Sequence, residues 1–196
     1  MRKQVEFYYD YGSPTAYLAW TQLPAICARH DAALIYRPML LGGVFKATGN
    51  TTPVRIEAKR AWLFQDLARY VARYGVRFEM NPHFIINTLS IMRGAVWAQA
   101  EKCLEEFNRA MFEAVWVDQR NMADPAEIAD VVAQSGLDAD RMIAAIQQPE
   151  IKTALIEATD AAVERGVFGA PTMFVGDEMH FGQDRLDWVA TALADS

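Results

Sequence analysis

The sequence predicts an α/β fold interrupted by a large helical insertion. Three observations lead to this class: the first segment alternates between strand and helix patterns, the last segment does so again, and the residues between them carry only helical patterns. The 196 residues are 52% hydrophobic, which is enough to bury a sizeable core. We therefore expect residues 1–40 and 150–196 to build one sheet-containing domain and residues 41–149 to form an inserted helical domain.

The first predicted unit is a strand, a turn and a helix. Residues 5–10 are rich in β-formers and lead into the Gly-Ser-Pro turn at 12–14, after which a helical pattern extends over 14–29. Proline is tolerated in the first turn of a helix, whereas the internal Pro24 is expected to bend it. A second strand pattern over 33–37 follows closely, and such strand-helix-strand units usually form parallel neighbours.

The inserted segment has the apolar periodicity of several helices. The predicted helices cover residues 54–74, 89–113, 126–134 and about 140–147. Asp124 and either Asp138 or Asp140 are candidate N-caps, because an aspartate before an apolar periodic run often accepts the first unpaired N–H groups.

The final segment returns to the α/β pattern. In chain order it contains a helix, a strand opened by a proline, a turn, a second strand and a last helix, at about 150–165, 172–175, 176–177, 178–181 and from Gln183 onward. Together with the first unit, these elements complete a sheet that the insertion interrupts.

Composition and charge exclude several classes of function. Nineteen basic and 25 acidic residues give a net charge of -6, and the basic positions are scattered, so we expect no nucleic-acid partner. The chain shows neither a signal-peptide pattern nor an apolar run of about 20 residues, so we expect a cytoplasmic protein with no membrane partner.

The two cysteines are not arranged for redox or metal chemistry. Cys27 and Cys103 lie far apart, form no Cys-x-x-Cys pair and have no metal-ligand spacing to a histidine. Free cysteines usually behave as small buried hydrophobes. The spacing argues against a dithiol enzyme, and we expect no bound metal.

Ser13 is the first candidate for chemistry. The predicted turn places its hydroxyl at the amino end of a helix, where unpaired N–H groups and the helix dipole stabilise a negative charge such as a thiolate. The same position also fits an ordinary N-cap, which needs no chemical role.

The second candidate is the corner formed by Gly169, Ala170 and Pro171 before a strand. Only X-Pro bonds adopt the cis form at modest cost, and a helix-to-strand corner is a suitable place for one. A trans proline that opens an edge strand fits the same residues.

Three stretches of the chain, taken together, resemble one protein family. They are 7–18, 169–174 and 181–186, which read FYYDYGSPTAYL, GAPTMF and FGQDRL. These motifs are similar to those of the 2-hydroxychromene-2-carboxylate isomerases, a family related to kappa-class glutathione transferases and, more distantly, to DsbA-type oxidoreductases. The resemblance extends over almost the whole chain and implies a thioredoxin-like fold whose active-site serine replaces the redox cysteine.

The resemblance implies a glutathione site centred on Ser13. This serine would donate its hydroxyl to the glutathione sulfur, and the backbone beside Pro171, chiefly Ala170, would pair with the tripeptide as an added strand. Asn50 and Lys59 match family positions that reach the polar ends of the tripeptide.

Gln183 and Asp184 match family positions that hold the γ-glutamyl group at the start of the last helix. Taken alone, Lys59 fits a solvated surface charge and Asp184 fits an acid that compensates a helix dipole. Two departures from the family pattern, Gly12 before the serine and Glu57 before Lys59, loosen the assignment of the substrate more than that of the cofactor.

The aromatic and methionine side chains of the insertion fit either an aryl-binding pocket or a plain core. They are Trp62, Phe64, Phe84, Met92, Trp97, Phe112 and Trp116.

The family implies a glutathione-dependent isomerase that acts on 2-hydroxychromene-2-carboxylate or a related intermediate of aromatic catabolism. The expected partners are a small aromatic substrate and a second copy of the chain in a homodimer. Two alternatives stay open: a kappa-like glutathione transferase that uses the same thiolate to attack an electrophile, and a non-enzymatic thioredoxin-fold binding module.

Overall fold

The computed structural model describes residues 3–195 and contains one four-stranded sheet. Its strands are β1 (Gln4–Tyr9), β2 (Ala33–Pro38), β3 (Thr172–Val175) and β4 (Glu178–Phe181), in the order β2-β1-β3-β4. Strand β1 is parallel to β2 and antiparallel to β3, and β3 is antiparallel to β4. The two ends of the chain therefore share one sheet, and the predicted α/β class is confirmed.

The α-helices of the described residues lie before, within and after the insertion. They are α1 (Pro14–Arg29), α2 (Leu41–Thr48), α3 (Glu57–Tyr74), α4 (Leu89–Ala100), α5 (Leu104–Trp116), α6 (Pro125–Gln134), α7 (Ala139–Ala145), α8 (Pro149–Glu164) and α9 (Leu186–Asp195). Short 3₁₀ turns precede α3 and α9, at Pro53–Arg55 and Gln183–Arg185. The last helix thus begins three residues later than predicted, after one tighter turn.

In the insertion, one predicted helix needs correction and one helix was missed. The single helix predicted over 89–113 is two helices, because Lys102 adopts a left-handed conformation with φ of 62° and the N–H of Cys103 turns back to the carbonyl of Ala98. Helix α2 was not predicted. Its Gly42-Gly43 pair lowers helix propensity, so the helix depends on tertiary packing.

Other local predictions are confirmed. Asp124 accepts the N–H of Ala126 at 2.9 Å, and Asp138, rather than Asp140, accepts that of Arg141 at 2.9 Å. Helix α1 covers the predicted residues, with Pro24 inside it, and the bend expected at Pro24 stays a prediction.

The larger of two hydrophobic clusters among residues 3–195 spans the sheet and the helices of the insertion. Most of the aromatic and methionine set belongs to it: Met92, Trp97, Phe112 and Trp116 are buried, whereas Trp62 is 58% exposed. Their burial favours the core interpretation for these four side chains. The division into a 1–40/150–196 domain and a 41–149 domain stays a prediction.

The sheet also holds a partly exposed ionic cluster that links β1 to β2 and to the residue after α8. The carboxylate of Glu6 accepts hydrogen bonds from Arg37 (2.8 Å) and from Arg165. Burial opposes ionisation of Glu6, but the hydrogen bonds and charges of the two arginines outweigh it and lower the pKa of this carboxyl. A lowered carboxyl pKa contributes stability above the unfolded-state pKa, and that contribution is lost as the pH falls through the folded-state value.

We therefore expect Glu6→Gln to lower the free energy of unfolding by roughly 2 kcal/mol at neutral pH, since it removes hydrogen bonds between charged groups. Urea unfolding at several pH values measures the effect, and the difference from the parent should shrink as the pH falls below about 4. Glu157 is exposed and forms no ion pair with the described residues, so Glu157→Gln supplies the control. A constant difference at all pH values would contradict the role given to the charge.

Candidate active site

Three chain segments meet at the end of β1 around the carboxylate of Asp10. The carboxylate accepts hydrogen bonds from the N–H of Gly12 (2.9 Å), from the N–H of Leu41 (2.8 Å) and from the hydroxyl of Thr88. Burial raises the pKa of the Asp10 carboxyl, and these three donors act in the opposite direction. Asp10 was not predicted as a site residue, although an aspartate two residues before a turn glycine is a known Asx-turn signal. It fixes the turn that carries Ser13.

Ser13 lies at the N-cap of α1 and faces the loop before β3. Its Oγ accepts the N–H of Ala16 at 3.1 Å, and its hydroxyl donates to the carbonyl of Ala170, also at 3.1 Å. Thr15 places a second hydroxyl 3.0 Å from Ser13 Oγ and 3.3 Å from the Ala170 carbonyl oxygen. Ser13 is therefore a helix cap whose hydroxyl is also directed at the residue before Pro171. Thr15 was not singled out from the sequence.

The amino end of α1 gives this position a positive local potential. The first turn of α1 contains no acidic residue, so the partial positive charge of the helix end is not neutralised by its own side chains. Such a helix end favours an anion placed next to Ser13.

The loop opposite Ser13 contains a cis peptide bond between Ala170 and Pro171. A Cβ added to Gly169 would lie 2.8 Å from the Phe181 ring, so glycine allows the loop to pack closely against β4. Within residues 3–195 the N–H of Ala170 has no hydrogen-bond acceptor, while its carbonyl receives Ser13 and Thr15. The Ala170 N–H is therefore available to pair with an extended peptide ligand.

The structure also brings Asn50 to this loop. Its side-chain amide donates to the carbonyl of Phe168 at 2.8 Å, and its side-chain oxygen accepts the N–H of Thr51 at 2.8 Å. Lys59 lies in the first turn of α3, is exposed, and forms no hydrogen bond or ion pair with the described residues. The structure thus joins Asn50 to the proline loop and leaves Lys59 as a solvated cation.

Gln183 and Asp184 follow the end of β4. Gln183 is buried, and its carbonyl accepts the hydroxyl of Tyr74, at the end of α3, at 2.8 Å. Asp184 is exposed and pairs with Arg185 at 2.5 Å. No described contact joins Asp184 to Ser13. The ligand-binding roles of Gln183 and Asp184 therefore stay predictions.

Neither cysteine thiol is activated by its surroundings. Burial raises the pKa of the Cys27 thiol to about 11, and burial with nearby acids raises that of Cys103, so both thiols stay protonated at neutral pH. Across residues 3–195, no three His, Cys, Asp or Glu side chains cluster as metal ligands. Over the same range, no helix has both the length and the apolar character of a membrane span.

The mixed sheet, the helix capped by Ser13 and the cis proline opposite it define a thioredoxin-fold protein with a serine at the amino end of its first helix. The model of the DSBA-like thioredoxin domain matches residues 4–194. The chain is 32% identical to the 2-hydroxychromene-2-carboxylate isomerase of Sphingobium xenophagum, over all of both chains. It belongs to the DSBA-like thioredoxin domain family and, within it, to the family of 2-hydroxychromene-2-carboxylate isomerases.

Two further comparisons agree with this assignment. A solved structure of a 2-hydroxychromene-2-carboxylate isomerase superposes with a TM-score of 0.89 at 29% identity, covering 98% of this chain and 95% of the other. Glutathione S-transferase kappa 1 of Homo sapiens is 28% identical, over 98% of this chain and 92% of the relative. The family resemblance and the thioredoxin-like fold predicted from the sequence are confirmed.

Proposed function

We propose that the chain is a glutathione-dependent isomerase of 2-hydroxychromene-2-carboxylate or a related intermediate of aromatic catabolism. The observation that carries the proposal is the Ser13 hydroxyl at the amino end of α1, facing the residue before the cis proline, in a chain homologous over its full length to isomerases of that compound. The kappa glutathione transferase among the relatives supports glutathione as the cofactor.

The predicted site residues have the chemical groups that a glutathione molecule needs. Neither the N–H of Ala170 nor the Lys59 ammonium has a partner among the described residues, so the first can pair with a peptide backbone and the second can meet a carboxylate. Asp184 would hold the γ-glutamyl ammonium together with Gln183, and Asn50 already anchors the loop that carries Ala170. These residues fit the tripeptide in charge and hydrogen-bonding character.

When bound, glutathione supplies a thiolate that adds reversibly to the conjugated substrate and is later expelled, so the net reaction is an isomerisation without redox change. Ser13 would donate a hydrogen bond from its hydroxyl to the anionic sulfur. The positive end of the α1 dipole would lower the pKa of the glutathione thiol. Thr15 can keep the Ala170 carbonyl satisfied when Ser13 turns its proton away, because both hydroxyls reach that oxygen.

A kappa-like glutathione transferase is the second candidate, and the similarity to the kappa enzymes favours it. The two activities differ in product mass: isomerisation leaves the mass of the substrate unchanged, whereas conjugation adds that of glutathione. Homodimeric assembly and cytoplasmic location stay predictions.

The test of the glutathione site is a calorimetric titration of the protein with glutathione. We expect saturable binding and, in a pH titration of the ultraviolet thiolate absorbance, a lowered thiol pKa of the bound tripeptide. Asp184→Asn should weaken the binding by about tenfold or more, because it removes a charge-assisted hydrogen bond.

The matched control is Asp187→Asn, which changes an exposed aspartate close to Asp184 in sequence. It should bind glutathione as the parent does. If the parent protein binds no glutathione, the proposed function is wrong and the binding-module alternative gains support; equal weakening by both variants would remove the specific role of Asp184.

A further inference from the structure

A cavity lies between the three helices α2, α4 and α8. It has a volume of about 460 Å³, within the usual range for small-molecule pockets. One face of each helix lines it: Leu40, Gly43 and Ala47 at α2, Leu89 and Arg93 on α4, and Leu155, Ile156 and Thr159 among the residues of α8. None of the residues described above for the Ser13 cleft is part of its lining.

Hydrogen bonds hold the walls of this cavity in place. The N–H of Leu40 donates to the hydroxyl oxygen of Thr159 at 3.0 Å, and that hydroxyl donates to the carbonyl of Leu155 at 2.7 Å. A Cβ added to Gly43 would lie 3.0 Å from the Thr159 methyl group, so α2 and α8 approach closely there. The cavity is therefore bounded by two tightly packed helices.

The charges around the cavity are unbalanced. Lys46, Arg93 and Lys152 come from three different helices, against the single carboxylate of Asp160. In residues 3–195 none of these three cations forms an ion pair. In a chain with a net charge of -6, this is a local concentration of uncompensated positive charge.

Arg93 provides an independent indication of a ligand. Its Nε–H is buried, and within the described residues it meets no hydrogen-bond acceptor. Buried donors without a partner are rare in folded proteins, since each loses its hydration without compensation. A planar guanidinium in this state suits a carboxylate, which can accept two parallel hydrogen bonds.

The remaining walls are aliphatic and select against a small inorganic ion. Leu40, Leu89, Leu155 and Ile156 line the cavity, and Ile156 is 61% exposed at its rim. A ligand that covers these side chains needs an apolar body of its own. We propose that the cavity binds a small organic carboxylate with an apolar body, its anionic group held by Arg93 and the two lysines.

The experiment is a calorimetric titration of the full chain with 1-naphthoate, compared with the neutral alcohol 1-naphthalenemethanol. We expect saturable binding of the acid and an affinity for the alcohol that is lower by about tenfold or more. Arg93→Met should lower the affinity for the acid by a similar factor. Arg29→Met, on an exposed arginine outside the cavity, is the matched control and should bind as the parent does.

Two further variants make the result decisive. Lys152→Met removes a cation from a partly exposed position on α8. It should also weaken the binding of 1-naphthoate, and it provides a test even if Arg93→Met does not fold. Asp184→Asn should leave naphthoate binding unchanged, whatever happens to glutathione. Equal affinity for acid and alcohol, no saturable binding by the parent, or a loss caused by Asp184→Asn alone would overturn the proposal.

Discussion

Replacing Ser13 by alanine is expected to lower kcat/KM for glutathione-dependent isomerisation of 2-hydroxychromene-2-carboxylate by about 100-fold or more. The variant lacks the hydroxyl that would donate to the sulfur anion, while the backbone that would hold the tripeptide stays in place. Glutathione affinity should therefore change by less than about threefold. Initial rates and calorimetry on the same preparation separate the two effects.

Two comparisons keep this result interpretable. Ser13 also caps α1, so Ser13→Ala should destabilise the protein by about 1 kcal/mol, whereas Ser13→Gly removes the same hydroxyl at a cost of a few tenths. Thr21→Ala is the control, because the Thr21 hydroxyl donates to the carbonyl of Leu18 and accepts from the side-chain amide of Gln22, both within α1. Undiminished turnover by a folded Ser13 variant would remove the proposed catalytic role.

The second large effect is expected at Asp10. Asp10→Ala leaves two partly buried N–H groups and the Thr88 hydroxyl without their acceptor, which should lower the free energy of unfolding by roughly 3 kcal/mol. It should also reduce activity, because the turn that positions Ser13 loses its support. Urea unfolding and initial rates measure the two consequences.

Asp118→Ala, at an exposed aspartate between α5 and α6, is the matched control and should change stability by less than about 0.5 kcal/mol. Asp10→Asn is a milder variant, since its side chain keeps one acceptor oxygen but presents an amide donor to the remaining donors. If Asp10→Ala were as stable as the parent, the three hydrogen bonds would not be what holds the turn.

Elements with strong local signals could be predicted from the sequence. The strands at 172–175 and 178–181 and helix α1 have clear β-former or apolar periodicity and are bounded by proline and glycine. Helix α2 and the break at Lys102 could not be predicted. The first depends on packing against α8, and the second places a lysine in a left-handed conformation without any glycine or proline to mark it.

The candidate site shows the same limit. Ser13 and Ala170 belong to motifs that are recognisable from the local sequence. In the structure, Ser13 Oγ lies 3.1 Å from the carbonyl oxygen of Ala170. Only the bond from Gly12 to Asp10 has a local signal, because the other two donors, Leu41 and Thr88, come from segments that are distant in sequence. The link from Asn50 to Phe168 is likewise a tertiary contact, whose partners lie 118 positions apart.

The hydrogen bond between Ser13 and Ala170 joins residues separated by 157 positions, and β1 pairs directly with β3. Asp118 and Gln119, between α5 and α6, are exposed, so a break in the chain at that point divides the cleft between two polypeptides. One fragment carries Ser13 and the other carries the cis proline, and neither contains a complete site. Turnover after such a cut would report reassembly of the two fragments, which makes this fold a candidate scaffold for a split-enzyme sensor.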